Sequence, residues 1–134
     1  MGTLACMLKD KGFFVSGSDH NMYPPMSDIL KNKAITLYND YNKNNISNAD
    51  IIIVGNAISR GNVELEHLLI QNIPYLSMAD ALYQFFLKEK RVIAITGTHG
   101  KTTTTAILAH ISKTANIRPS FLLGGVTSNY NSSY

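Results

Sequence analysis

Six consecutive residues, Gly97-Thr98-His99-Gly100-Lys101-Thr102, bring together the groups needed to hold a phosphate. Two glycines let the backbone turn so that several N–H groups point into one concavity. Lys101 adds a mobile cation within reach of the outer phosphates, and Thr102 places a hydroxyl where it can ligate Mg²⁺. Thr103 backs up the phosphate contact, while Thr104 and Thr105 fill packing positions. His99 sits inside the turn, where it can donate to a phosphate or to a second substrate. One departure stands out: Ile95 occupies the place of the first glycine in the usual phosphate-loop pattern. The shorter G-x-x-G-K-T form keeps both flexible points, so the chemistry survives the change.

Such a loop needs a strand before it and a helix after it, because the helix N-terminus supplies the positive end of the dipole. The β-branched run at 92–96 predicts the strand, and 101–116 reads as the helix. Upstream, the pattern alternates in the same way. Helix 3–11 stops at Gly12, strand 13–15 follows and ends in Gly17-Ser18-Asp19, and Pro25 opens a helix to Asn32. Residues 34–38 predict a second strand, 39–48 a polar loop with room for one helical turn, and 50–54 (DIIIV) the clearest buried strand of the first half. Asn62 caps a helix to Ile70, 73–76 forms another strand, and Ser77 caps a helix over 78–88. A last strand begins at Phe121-Leu122-Leu123. Alternation of this kind implies parallel α/β layers. The charged stretch 88–91 is the natural boundary between two α/β units.

Composition narrows the function classes. Hydrophobic residues make up 45% of the 134 and charged residues 16%, as in a globular protein rather than a disordered one. A net charge of +3 without a basic cluster argues against nucleic acid as a partner. Apolar runs are short and broken by polar residues, so neither a signal peptide nor a membrane span is expected, and the expected compartment is cytoplasmic. The single cysteine, Cys6, cannot form an internal disulfide and reads as buried packing. His67 and His110 lie within helices without metal-ligand spacing, and His20, beside Asp19, is open to a ligand contact. No zinc site is expected.

The stretch GTHGKTTTT after a hydrophobic strand resembles the ATP loop of the Mur ligases, the amide-forming enzymes of peptidoglycan synthesis. GSDHNMYPPMSDIL, GNAISRGN, NIPYLS and FLLGGV are similar to one branch, which joins the tripeptide L-Ala-γ-D-Glu-meso-diaminopimelate to UDP-N-acetylmuramate. The resemblance implies a Rossmann-like UDP-sugar-binding domain over 1–89 and the start of a P-loop α/β ATP-binding domain over 90–134. By position it assigns Gly97, Thr98, His99, Gly100, Lys101, Thr102 and Thr103 to ATP. Lys101 and His99 become the candidate catalytic residues and Thr102 the Mg²⁺ ligand. Ser18, Asp19, Asn56, Ala57, Ile58 and Asn129 fall to the UDP-sugar, with Gly124 and Gly125 near the muramoyl group. The implied substrates are UDP-N-acetylmuramate and the murein tripeptide, and the implied cofactors are ATP and Mg²⁺.

The chain opens on a helix, where an open nucleotide-binding sheet begins with a strand and a glycine-rich turn. The first strand is therefore expected outside these residues, and the resemblance implies that the remainder of the ATP domain, the amine-binding domain and the family's carbamylated lysine lie outside them too. The expectation follows that the 134 residues alone form no amide bond. Three other readings remain: a ligase that adds L-alanine to the same sugar nucleotide, a non-catalytic nucleotide-binding remnant, and a generic P-loop ATPase.

Overall fold

The computed structural model describes residues 1–123 and divides into two compact units, Met1–Lys90 and Arg91–Tyr134. Gly124, Gly125 and Asn129 lie outside the described residues. In the first unit the elements run α1 (Gly2–Asp10), β1 (Ser16–Ser18), α2 (Met26–Asn32), β2 (Thr36–Tyr38), a 3-10 turn (Lys43–Asn45), β3 (Ile52–Val54), α3 (Val63–Gln71), β4 (Tyr75–Ser77) and α4 (Met78–Leu82). A π-helical turn, Tyr83–Leu87, continues α4. This is the mixed α/β class with parallel strands: β1 pairs with β2 and β3 with β4, both parallel, through Gly17 opposite Leu37 and Ile53 opposite Leu76.

Helix ends follow local chemistry. Asn62 caps α3 by accepting from the N–H groups of Glu64 and Leu65, and Ser77 caps α4 by accepting from Asp80 N–H at 3.1 Å. Four residues in the left-handed region end helices: Gly12 (φ 94°), Ala34 (φ 52°), Asn72 (φ 52°) and Asn116 (φ 60°). After α1, Gly12 N–H bonds to Lys9 O and Phe13 N–H to Leu8 O, so the last carbonyls are satisfied as the chain reverses. Glycine tolerates this geometry freely, whereas Ala34 adopts it despite its Cβ.

Leu4 and Leu8 of α1 and Ala81 of α4 form the core, with Val15, Ile53, Leu76, Met78, Leu82, Phe85 and Phe86 packed around them. Residues beside both strand pairs therefore share one cluster. Fully burying a leucine is worth about 1.5–3 kcal/mol, which makes α1 the element that ties the unit together. Cys6 is buried on α1, and that burial, the largest influence on it, pushes its thiol pKa up, as suits a packing residue.

Several strands differ from expectation. The first lies at Ser16–Ser18 rather than 13–15: pairing with β2 fixes it there, and Phe14 stays exposed. The DIIIV run is half-buried rather than buried, with Ile51 exposed and Ile52, Ile53 and Val54 only partly covered. β4 is shifted to Tyr75–Ser77, in register with β3. In the second unit α5 (Lys101–Thr114) forms as expected, but residues 92–96 and 121–123 take no strand assignment. A strand is defined by hydrogen bonds to a neighbour. Val92 and Ile93 are exposed, and the ladder pairs of the described residues lie among β1 to β4. Among the described residues no helix is long and apolar enough to cross a membrane.

Candidate functional site

The candidate phosphate loop of the second unit, residues 97–103, owes its shape to its glycines. Gly97 takes φ 151° and Gly100 φ 78°, conformations that side-chain-bearing residues rarely adopt. Gly100 is also the N-cap of α5, and its carbonyl accepts the N–H of Thr104 at 2.9 Å. The N–H groups of Lys101, Thr102 and Thr103 precede that first helical bond and lie at the positive end of the helix. Lys101 Nζ folds back to donate to Gly97 O at 2.7 Å and Thr98 O at 3.1 Å. The cation thus already spans the turn. Thr98, His99, Thr102 and Thr103 are all exposed. Thr105 donates its hydroxyl to Lys101 O at 2.8 Å, a back-bond within α5 that uses its polar group locally.

Among the described residues no group of three or more His, Cys, Asp or Glu is placed to hold a metal ion. Mg²⁺ at a nucleotide is held by phosphate oxygens and water with one or two protein oxygens. The exposed Thr102 hydroxyl at the start of α5 fits that requirement.

In the first unit the sequence-assigned residues gather at the carboxyl ends of the parallel strands, the edge where open α/β sheets bind ligands. Ser18 ends β1, and Asp19 N–H donates to Tyr38 O at the end of β2 (3.1 Å). Asp19 Oδ1 in turn accepts from Asn21 N–H at 3.0 Å, which fixes the turn after the strand. Beyond β3, Ile58 N–H bonds to Gly55 O at 3.0 Å, closing a turn that leaves Asn56 and Ala57 exposed and Ile58 half-buried.

His20, which the sequence left open to a ligand contact, stands at this edge beside residues the sequence reading passed over: Asp40, Tyr41, Asn42, Asn45 and Glu64. His20 Nδ1 lies 3.0 Å from Asp40 Oδ1, and the His20 ring meets Tyr41 edge-on with centroids 4.5 Å apart. Burial first, then the charges of Asp19 and Glu64, raise the Tyr41 pKa, so its phenol stays a protonated donor at neutral pH. Glu64, in the first turn of α3, accepts from Ser18 Oγ (2.8 Å), Asn45 Nδ2 (2.9 Å) and Asn42 N (3.1 Å). The Ser18 hydroxyl proton is therefore already committed within the protein. Asn-rich loop composition and a glutamate two residues after an N-cap were visible in the sequence, but nothing local connected them.

The sequence model of the Mur ligase family, described as its catalytic domain, matches residues 1–90. The chain is 41% identical over 131 residues to the UDP-N-acetylmuramate--L-alanyl-gamma-D-glutamyl-meso-2,6-diaminoheptandioate ligase of Escherichia coli (strain K12), covering 97% of this chain and 29% of that protein. It is 42% identical over 125 residues to the UDP-N-acetylmuramate--L-alanine ligase of Clostridium acetobutylicum, covering 93% and 27%. The chain thus spans under a third of the length of these curated relatives. Among solved structures, the UDP-N-acetylmuramate:L-alanyl-gamma-D-glutamyl-meso-diaminopimelate ligase from Neisseria meningitides superposes with a TM-score of 0.94 at 39% identity, over 99% of this chain and 42% of that one. The UDP-N-acetylmuramate-alanine ligase from Thermotoga maritima gives 0.86 at 26% identity, over 100% and 31%.

Proposed function

The chain belongs to the Mur ligase family, and we propose that it carries the sugar-nucleotide-binding part and the ATP loop of a ligase acting on UDP-N-acetylmuramate. In this reading residues 1–89 form the UDP-sugar domain and residues 90–134 begin the ATP domain. The acceptor is the tripeptide L-Ala-γ-D-Glu-meso-diaminopimelate, and the enzyme works in the cytoplasm. The observation that carries the reading is the turn of Gly97 and Gly100 at positive φ, opening α5 with Lys101 bridging it.

Ligases of this family are ATP-dependent. The residues here suit transfer of the γ-phosphate to the muramoyl carboxylate: a carboxylate oxygen attacks phosphorus, the bond to ADP breaks, and an acyl phosphate forms. The tripeptide amine then attacks the acyl carbon, phosphate leaves, and the amine loses a proton. Lys101 and the N–H groups of residues 101–103 bear on the charge that spreads over the moving phosphoryl group. Thr102 would hold Mg²⁺, which would neutralise that charge further. His99, exposed within the turn, is placed to meet the second substrate. Ser18, Asp19, Asn56, Ala57 and Ile58 line the strand-end edge for the nucleotide, and Asn129 completes that set on the resemblance alone.

Identity alone weighs evenly between acceptors, at 41% and 42%. The higher TM-score and identity of the tripeptide-adding structure favour the tripeptide, while the clostridial identity keeps L-alanine as the second reading. The test gives the gene product at its native length UDP-N-acetylmuramate, ATP and Mg²⁺ with either tripeptide or L-alanine, and follows phosphate release and product mass. Tripeptide product is expected. L-alanine product would move the chain to the second reading, and nucleotide binding without either product would make it a binding module.

A further inference from the structure

We propose that Glu64 is a positioning residue for the sugar-nucleotide edge, a role that rests on the UDP-sugar reading above. One carboxylate oxygen, Oε1, accepts hydrogen bonds from three donors: Ser18 Oγ, Asn45 Nδ2 and Asn42 N. These donors come from the end of β1 and from the loop after β2, while Glu64 itself opens α3 beyond β3. The bonds span 46, 19 and 22 residues of sequence, so they join three separate segments at one atom. Asn62, through its cap bond to Glu64 N–H at 3.0 Å, fixes the backbone from which the carboxylate projects.

What the carboxylate fixes is the loop that carries Asp40 and Tyr41. Asn45, held by Glu64, also donates to Asp40 O at 2.9 Å. Asp40 and Tyr41 are the partners of His20 across the edge. Ser18, whose proton goes to Glu64, keeps its oxygen facing Asn45 at 3.4 Å rather than turning freely. Elsewhere the loop is tied mostly to itself, through Asn44 N–H to Asn42 Oδ1 and Ser47 Oγ to Lys43 O. Removal of Glu64 therefore leaves the wall bearing Tyr41 and Asp40 to order itself when ligand arrives, and that ordering lowers affinity. A charged acceptor also fits this position electrostatically, since the first turn of a helix, where Glu64 stands, favours negative charge.

The proposal separates from simple stabilisation by substitution chemistry. Glu64→Ala removes the acceptor, whereas Glu64→Gln keeps a carbonyl oxygen that can take the same three donors without the charge. Binding of UDP-N-acetylmuramate and of Mg-ATP to the full chain is measured by calorimetry for wild type and both variants, with thermal melting alongside. The expected result is UDP-N-acetylmuramate affinity at least about tenfold weaker in Glu64→Ala, within about threefold of wild type in Glu64→Gln, and Mg-ATP affinity unchanged in both. Equal UDP-N-acetylmuramate affinity in folded Glu64→Ala overturns the positioning role and leaves the UDP-sugar reading intact. If Glu64→Ala does not fold, Glu64→Gln decides: a folded Gln variant that loses the nucleotide overturns the role, because the retained acceptor should rescue it. Failure of wild type itself to bind the sugar nucleotide removes the UDP-sugar reading and the proposal with it.

Discussion

Replacing Lys101 by methionine keeps the aliphatic stem and removes the charge, and the structure says where the effect should appear. In the free loop Nζ bonds to Gly97 O and Thr98 O at 2.7 and 3.1 Å on an exposed surface. Such exposed charged contacts are worth only about 0–1 kcal/mol. Against them stands the cost of a cation at the N-terminus of α5, about 0.3–1 kcal/mol in the unfavourable direction. The two nearly cancel, so the melting temperature should move by less than about 4 °C, the shift that a 1 kcal/mol change gives a small domain. With nucleotide bound the balance changes. On the proposed reading Lys101 exchanges neutral carbonyls for phosphate oxygens, and a hydrogen bond to a charged group contributes about 1.5–3 kcal/mol. At about 1.4 kcal/mol per decade, Mg-ATP should bind Lys101→Met roughly 10- to 150-fold more weakly. Calorimetry with Mg-ATP and a melting curve on the same samples check both numbers. Binding within twofold of wild type would refute the lysine as a phosphate clamp. A large fall in melting temperature would show instead that the carbonyl contacts hold the loop together.

Two further outcomes follow from other parts of the first unit. Ala34 closes α2 at φ 52°, a geometry costing a non-glycine residue about 1–2 kcal/mol. After the entropy glycine adds to the unfolded chain, about 0.4–1 kcal/mol, Ala34→Gly should stabilise by roughly 0.5–1 kcal/mol in urea unfolding; a destabilised variant would contradict the assigned backbone. Glu66 accepts from Gly61 N–H at 2.9 Å and Arg60 Nε at 2.8 Å, and the Gly61 bond, then the Arg60 bond, hold its carboxyl below the usual glutamate value. Its contribution to stability is therefore full above the unfolded glutamate pKa and is lost as pH falls through the lower folded one. Carbon-detected NMR should show Glu66 titrating below ordinary glutamates, and Arg60→Ala should return it only part of the way, since the Gly61 bond remains.

What could be read from the sequence was whatever a short stretch decides by itself. The caps Asn62 and Ser77, the stop at Gly12 and the Gly-Lys-Thr order opening α5 each depend on neighbours within a few residues, and each appears where its residues stand. Strands depend on a partner, and there the reading slipped. Phe13-Phe14-Val15 has the stronger β-propensity, yet pairing with Thr36, Leu37 and Tyr38 selects Ser16-Gly17-Ser18. The β-branched run at 92–96 has the right residues but no ladder among those described. The same distinction separates the two candidate sites, one in each unit. A phosphate loop is a local object, since its N–H groups, cation and hydroxyl lie within seven residues, 97–103. The strand-end edge is assembled by topology: Ser18, Asn45 and Glu64 meet only because two parallel crossovers return their ends to one side. A carboxylate that collects donors from 46 and 19 residues away leaves no periodicity and no motif behind. Its bonds become visible once the strands are paired, and on the proposed reading they hold the edge that receives the sugar nucleotide.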